Sequence, residues 1–186
     1  MTGLPVNGIP QDELIAAQRL RRTIHATLRR SLHVRHLDAG SCNGCDWEIA
    51  ALLNPYNDVQ RLGIDFVASP RHADLLLVTG IMTRNLEEAA RRTYEAMPEP
   101  RLVVAVGACA ISGGVFAGTY AGRDGISEVL PVDVFVPGCP PRPEALIHGL
   151  LVAVGRMAPF PFVPSRGPEG KPTTSSLRGS SEAQGR

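Results

Sequence analysis

A chain of 186 residues, 44% hydrophobic and 20% charged, has the size and composition of one globular domain that buries roughly two-thirds of its unfolded surface. Its net charge of +1 argues against nucleic-acid binding, which works by neutralising many phosphates. No stretch approaches the ~18 apolar residues of a spanning helix, and Met1-Thr2-Gly3-Leu4-Pro5 offers no charged region followed by an apolar one, so a soluble or peripheral cytoplasmic chain is expected. Thiols stay reduced in that compartment, which turns four cysteines toward metal binding or redox work rather than structural disulfides.

In chain order, residues 1–10 read as a flexible lead. From Gln11 to about Arg30, Leu14, Leu20, Ile24 and Leu28 recur at helical spacing while Arg19, Arg21, Arg22, Arg29 and Arg30 crowd the remaining surface. Residues 1–30 therefore form a lead and a basic amphipathic helix. Such a helix either lies on an anionic membrane or a partner, or covers its own domain, its terminal cations suiting the helix dipole.

Strand-like runs rich in Val, Ile and Leu follow at Leu32–Leu37, Ile64–Ala68, Leu75–Thr79, Leu102–Val106 and Val132–Val136. Helical segments separate several of them: Asp46–Leu53 before Asn54-Pro55, Leu86–Met97 stopped by Pro98, and Glu144–Met157 begun after Pro143. Asn85 is the expected N-cap of the middle helix, with Glu87 and Glu88 in its first turn. The alternation predicts an α/β domain over residues 31–157, a mostly parallel sheet with helices on both faces.

The cysteines fall at matching places in this pattern. Cys42 and Cys45 follow the first run, Cys109 the fourth and Cys139 the fifth, and ligands of such sheets lie beyond the carboxyl ends of the strands. A Cys-x-x-Cys pair alone fits a redox dithiol, a zinc knuckle or an iron-sulfur site. Here the third and fourth thiols come singly from distant loops, unlike the paired knuckles of a zinc ribbon, and Cys139-Pro140 is similar to the cysteine-proline pairing of ferredoxin loops. One 4Fe-4S cluster on Cys42, Cys45, Cys109 and Cys139 is the expected cofactor, with a zinc-stabilised interaction domain or a thiol-disulfide enzyme as the other readings.

Five stretches carry a family resemblance: Cys42-Asn43-Gly44-Cys45-Asp46-Trp47-Glu48, Ser69-Pro70-Arg71-His72-Ala73-Asp74, Met97-Pro98-Glu99-Pro100, Gly107-Ala108-Cys109-Ala110-Ile111-Ser112-Gly113-Gly114, and the run from Pro131 through Val136-Pro137-Gly138-Cys139 to Pro141. Collinear from about Ser31 to Met157, they resemble the 20 kDa subunit family of respiratory complex I and the small subunits of membrane-bound nickel-iron hydrogenases. The resemblance implies a flavodoxin-like domain holding one 4Fe-4S cluster that passes electrons to or from a large subunit. Complex I proper places two adjacent cysteines where this chain has Asn43 and Gly44 between Cys42 and Cys45, as in hydrogenases of the formate hydrogenlyase and energy-converting type. The expected protein is thus an electron-transfer subunit of a nickel-iron hydrogenase, the alternative a complex I B-type subunit passing electrons to quinone. Implied partners are a large catalytic subunit, membrane-embedded subunits and a ferredoxin-like iron-sulfur subunit, with the chain peripheral on the cytoplasmic face of the inner membrane.

Other residues have two readings each. Glu48 matches an acidic position of the family and is a candidate proton relay; it equally suits the first turn of a helix. Arg71 and His72 are candidates for tuning the cluster or binding a partner, or belong to an ordinary loop entering a strand. Gly113-Gly114 lacks the Lys-Ser/Thr of a phosphate loop and suggests close packing instead. Residues 158–186, Pro-, Gly- and Ser-rich, are expected to form a disordered tail, with Phe160 and Phe162 free to pin to a partner.

Overall fold

The computed structural model describes residues 11–156; the expected lead at 1–10, Met157 and the expected tail lie outside the described residues. Helix α1 (Gln11–Leu28) leads into strand β1 (Leu32–Asp38), followed by α2 (Gly44–Ala51), β2 (Ile64–Phe66) and β3 (Leu75–Thr79). Then come α3 (Arg84–Glu95), β4 (Leu102–Val106), α4 (Gly107–Ser112), β5 (Val134–Val136) and α5 (Pro143–Arg156). All four strand pairings are parallel, in the order β2-β1-β3-β4-β5. That is the flavodoxin-like doubly wound order, as the alternation and the resemblance implied.

A strand sends successive side chains to opposite faces, and β3 and β4 are apolar but for Thr79 at the end of β3 because both faces are covered. Leu75, Leu77, Leu102, Val104 and Val106 enter one core together with Leu20 and Ile24 of α1, Ile49 of α2 and Leu146 and Leu150 of α5. Leu76, Val78, Val103 and Ala105 enter the other with Ala90 of α3 and Ala110 of α4.

The apolar stripe of α1 is committed to its own domain: Leu20 and Ile24 are fully buried and Leu28 nearly so. Of the two uses expected for this helix, covering the domain is the one its apolar face serves. Arg19, Arg21, Arg22 and Arg29 stay exposed, but Arg30 is held by Asp74.

Several boundaries differ from expectation for identifiable reasons. Helix α3 starts at Arg84 after Thr83, whose N–H is tied to the Ala39 carbonyl at 2.8 Å, so Asn85 lies inside the first turn instead of capping it. Strand β5 begins at Val134 rather than Val132 because the Asp133 carboxylate accepts the Val103 N–H at 2.8 Å, taking the place of a main-chain acceptor. Helix α4, which the sequence pattern did not suggest, grows directly out of β4 through Gly107. Among the described residues, no helix is long and apolar enough to cross a membrane.

Candidate metal centre

The three connections that leave β1, β4 and β5 at their carboxyl ends meet over the middle of the sheet. Asn43, in the left-handed conformation at φ 66°, turns the chain into α2, which puts Cys42 just outside the helix and Cys45 in its first turn. Cys109 sits in α4. Cys139 follows β5, and the Gly138 carbonyl accepts the Ala108 N–H at 2.8 Å, locking these two loops together.

All four cysteines line one cavity of about 80 Å3, whose other walls are Ser41, Gly44, Gly80, Ala108, Gly138 and Pro140. Cys42 and Cys139 are exposed, whereas Cys45 and Cys109 are half-buried. The small walls matter. Gly107 adopts φ +87°, and a Cβ there would stand 2.7 Å from the Cys45 sulfur, closer than packed atoms approach. A Cβ on Gly114 would stand 3.1 Å from both Cys109 N and Sγ, so Gly114 packs closely against a candidate ligand, while Gly113 packs against Ala117, 2.9 Å from where its Cβ would stand.

The electrostatics bear on what such a site can hold. Burial first, then the charges of Asp46 and the other thiols, push the Cys45 thiol up to about 11, and its S–H points to the Val106 carbonyl at 3.9 Å. Burial likewise raises the Cys109 thiol, with Cys139 and Cys42 adding to the effect and the Val115 N–H partly offsetting it. The neighbouring thiols thus oppose the ionisation of Cys45 and Cys109; a cationic group among them would relieve that opposition and take them as thiolates. A single zinc ion with Zn–S bonds of about 2.3 Å would bring its sulfurs within about 4 Å of one another. Among the described residues, no three His, Cys, Asp or Glu side chains are gathered for one metal ion. Four thiols that share one cavity have the chemistry to hold a zinc ion or an iron-sulfur group, in which each ligand meets its own iron.

Beneath Cys45 lies a polar network that the sequence pattern does not reveal. The Asp46 carboxylate accepts the Ser41 hydroxyl on one oxygen. Its other oxygen accepts the Thr79 hydroxyl at 2.9 Å and lies 3.0 Å from His36 Nε2. Thr79, fully buried at the end of β3, also has its hydroxyl oxygen 3.1 Å from His36 Nε2. Burial lowers the His36 pKa, opposed mainly by Asp46 and Asp38. These residues sit on four separate segments, β1, the loop after it, α2 and β3, and only the adjacency of Asp46 to Cys45 was available to signal the network.

The remaining candidates divide. Glu48 is half-buried on α2 but does not line the cysteine cavity. Arg71 and His72 are exposed on a short turn ahead of β3, at the opposite end of that strand from Thr79. They belong to the loop entering the strand, and the structure does not bring them to the cysteines.

Fold and site together define a doubly wound α/β domain with four cysteines around one cavity. The chain belongs to the family described as NADH ubiquinone oxidoreductase, 20 kDa subunit, whose model matches residues 42–153. It is 50% identical over 129 residues to the probable membrane-bound hydrogenase subunit mbhJ of Pyrococcus furiosus, covering 69% of this chain and 77% of that one. It is 43% identical over 153 residues to formate hydrogenlyase subunit 7 of Escherichia coli, covering 80% and 59%. The B-type subunit of the NADH-quinone oxidoreductase of Geobacter metallireducens is 53% identical over 107 residues, covering 58% and 62%; the chain thus matches about three-fifths of the length of these last two. Among solved structures, the membrane-bound sulfane sulfur reductase, an archaeal respiratory membrane complex, contains a chain that superposes with a TM-score of 0.60 at 32% identity, covering 77% of this chain and 75% of that one.

Proposed function

We propose that this chain is the electron-transfer subunit of a membrane-associated oxidoreductase, and that Cys42, Cys45, Cys109 and Cys139 hold one 4Fe-4S cluster next to the active site of a large subunit of nickel-iron hydrogenase type. The observation that carries this reading is the meeting of four thiols, from three separate connections, around one cavity. When bound, a cluster of this kind takes up and returns a single electron, at a potential set by its surroundings.

The chain's own residues do the rest. The glycines at 107 and 114 leave room for the sulfurs, and the half-buried Cys45 and Cys109 anchor the inner side of the site. The exposed Cys42 and Cys139 put its outer side at the protein surface, where a partner's redox centre can approach. Trp47, two residues after Cys45, is 75% exposed, and Val115, whose N–H faces Cys109, is 82% exposed; aromatic and aliphatic side chains left open to this degree suit a protein interface. In this reading the large subunit covers that face, membrane-embedded and ferredoxin-like iron-sulfur subunits complete the assembly, and the chain lies peripherally on the cytoplasmic face of the inner membrane. Glu48, on the helix that carries Cys45, relays protons at the interface.

The hydrogenase reading rests on Cys42-Asn43-Gly44-Cys45, since complex I proper is expected to place its first two cysteines side by side. The alternative, a complex I B-type subunit passing electrons to quinone, is favoured by the 53% identity to the Geobacter metallireducens chain.

The test is anaerobic purification of this chain, both isolated and within the complex captured through a tag on it. About four irons and four sulfides are expected on the isolated chain, with hydrogen evolution by the complex and not by the isolated chain. Cys109→Ser and Cys139→Ser should abolish the cluster signal. Stoichiometric zinc without iron would overturn the reading, and disulfide reductase activity surviving in both variants would replace it with a Cys42/Cys45 dithiol enzyme.

A further inference from the structure

We propose that Asp46 is a positioning residue for the cysteine site, which fixes Cys45 in place and holds down the reduction potential of the group bound there. This rests on the reading of Cys42, Cys45, Cys109 and Cys139 as holders of an iron-sulfur cluster. Asp46 is in the first turn of α2, where an acidic side chain ordinarily serves its own helix dipole. Instead it reaches across to the sheet and draws together three segments that share no helix. Ser41, on the loop that carries Cys42, donates to one oxygen. Thr79, at the end of β3, donates to the other. His36 of β1 places Nε2 within hydrogen-bond distance of both that oxygen and the Thr79 hydroxyl.

The tautomer follows from the acceptors. Thr79 gives its only proton to Asp46, so its oxygen is free to accept, and His36 Nε2 carries the hydrogen that faces both. Ser41 is used in the same way, since its oxygen accepts the Asn43 N–H at 3.1 Å while its proton goes to Asp46. Every connection between the Cys42–Cys45 turn and the sheet along this path passes through one carboxylate. Partners that orient ligands from behind are a general requirement of metal centres, and removing one typically costs 10–100-fold in affinity or activity.

The effect on potential comes from charge. The Asp46 side chain is 22% exposed, so its negative charge is only partly screened by water, and it belongs to the residue next to Cys45. A fixed negative charge there opposes the arrival of an electron, which lowers the potential. Hydrogen bonds from Ser41, Thr79 and His36 spread that charge and moderate the effect.

The experiment uses the complex isolated anaerobically through a tag on this chain, carrying wild-type sequence, Asp46→Asn or Asp46→Glu. Iron content, the electron paramagnetic resonance line shape and the midpoint potential are read on each. Asp46→Asn is expected to raise the midpoint by about 59 mV or more, a tenfold shift in a one-electron equilibrium, with an altered line shape, and Asp46→Glu to return it toward wild type. Asp46→Asn that holds full iron with an unchanged midpoint overturns the proposal. Should Asp46→Asn lose the signal that Cys109→Ser also abolishes, the measurement passes to Ser41→Ala and Thr79→Val, each of which removes one donor and leaves the charge. A lowered midpoint in either sustains the proposal, and wild-type values in both overturn it. A complex whose iron-sulfur signals and iron content are all unchanged by Cys109→Ser overturns the cluster reading itself, a result distinct from any of these.

Discussion

Arg30 and Asp74, 44 residues apart in sequence, meet as a two-pronged ion pair: Nη1 lies 2.9 Å from Oδ2 and Nη2 2.5 Å from Oδ1. The pair joins the end of α1 to the entry of β3, and Asp74 Oδ2 also accepts the His33 N–H at 3.0 Å. Asp74 is almost wholly buried, with 7% of its side chain exposed against 48% for Arg30. Arg30→Ala strands that carboxylate, but the half-exposed guanidinium keeps the loss below the roughly 3–5 kcal/mol of a fully buried pair. A destabilisation of about 1–3 kcal/mol is expected for either Arg30→Ala or Asp74→Ala, measured by urea unfolding. Wild-type midpoints in both would show that the pair contributes nothing.

The same end of the molecule tests the role of α1. Ile24 is fully buried between the helix and the core, so Ile24→Ala should cost about 2–5 kcal/mol. Replacing Arg19, Arg21 and Arg22 by Gln should leave stability within about 0.5 kcal/mol, as exposed substitutions do. If the basic face has a membrane role, membrane fractionation will register the triple change while unfolding does not. An Ile24→Ala variant as stable as wild type would contradict the packing of this helix on the sheet.

Without bound metal, the cysteines should differ in reactivity. Cys45, half-buried with its pKa pushed up to about 11, is protonated at neutral pH, and the thiol is a far weaker nucleophile than the thiolate. Pulsed alkylation near neutral pH followed by mass spectrometry should label the exposed Cys42 and Cys139 well before Cys45. Labelling of Cys45 first would contradict both its burial and its direction of shift. Metal loading should also release protons, since Cys45 must give up its own.

His36 makes stability depend on pH in a stated direction. Its folded pKa lies below 6.5, through burial above all, so between that value and 6.5 the unfolded chain binds more protons than the folded one. Stability therefore rises with pH across this window and is lost as pH falls through it. Denaturation midpoints at about pH 7 and about pH 6, which bracket the ordinary histidine pKa, should differ less in His36→Gln than in wild type. An equal difference in the two proteins would show that His36 is not the group responsible.

The sequence made the architecture legible because both central strands are apolar on nearly every residue and the helices between them carry clear boundary signals such as Pro98 and Pro143. Leu75–Thr79 and Leu102–Val106 fall where the pattern put them. Helix α4 was hidden because Gly107-Ala108-Cys109 reads as a loop until Gly107 is seen to turn at positive φ directly out of a strand. Convergence of the cysteines followed from topology, since all four lie after strands of one parallel sheet. The Asp46 network did not, because His36, Ser41 and Thr79 come into reach only through the pairing of β1 with β3, in which Asp38 sits opposite Thr79. Nor could periodicity choose between the two uses of α1, since one amphipathic stripe serves a lipid surface and a protein core equally well.

The spread of the cysteines along the chain bears on when the site can be completed during synthesis. Cys42 and Cys45 leave the ribosome early, but Cys139 follows β5, a three-residue edge strand that among the described residues pairs with β4 alone. Until that last strand has emerged and docked, the cavity lacks a wall, and any metallocluster delivered to the nascent chain would find three ligands. On the proposed cluster reading, loading awaits a nearly finished domain, and iron incorporation would report on completion of the sheet. Chains truncated after Leu130 should accumulate without iron even where the cellular supply of clusters is ample, and a truncated chain that carries the full complement would mean that Cys139 is dispensable.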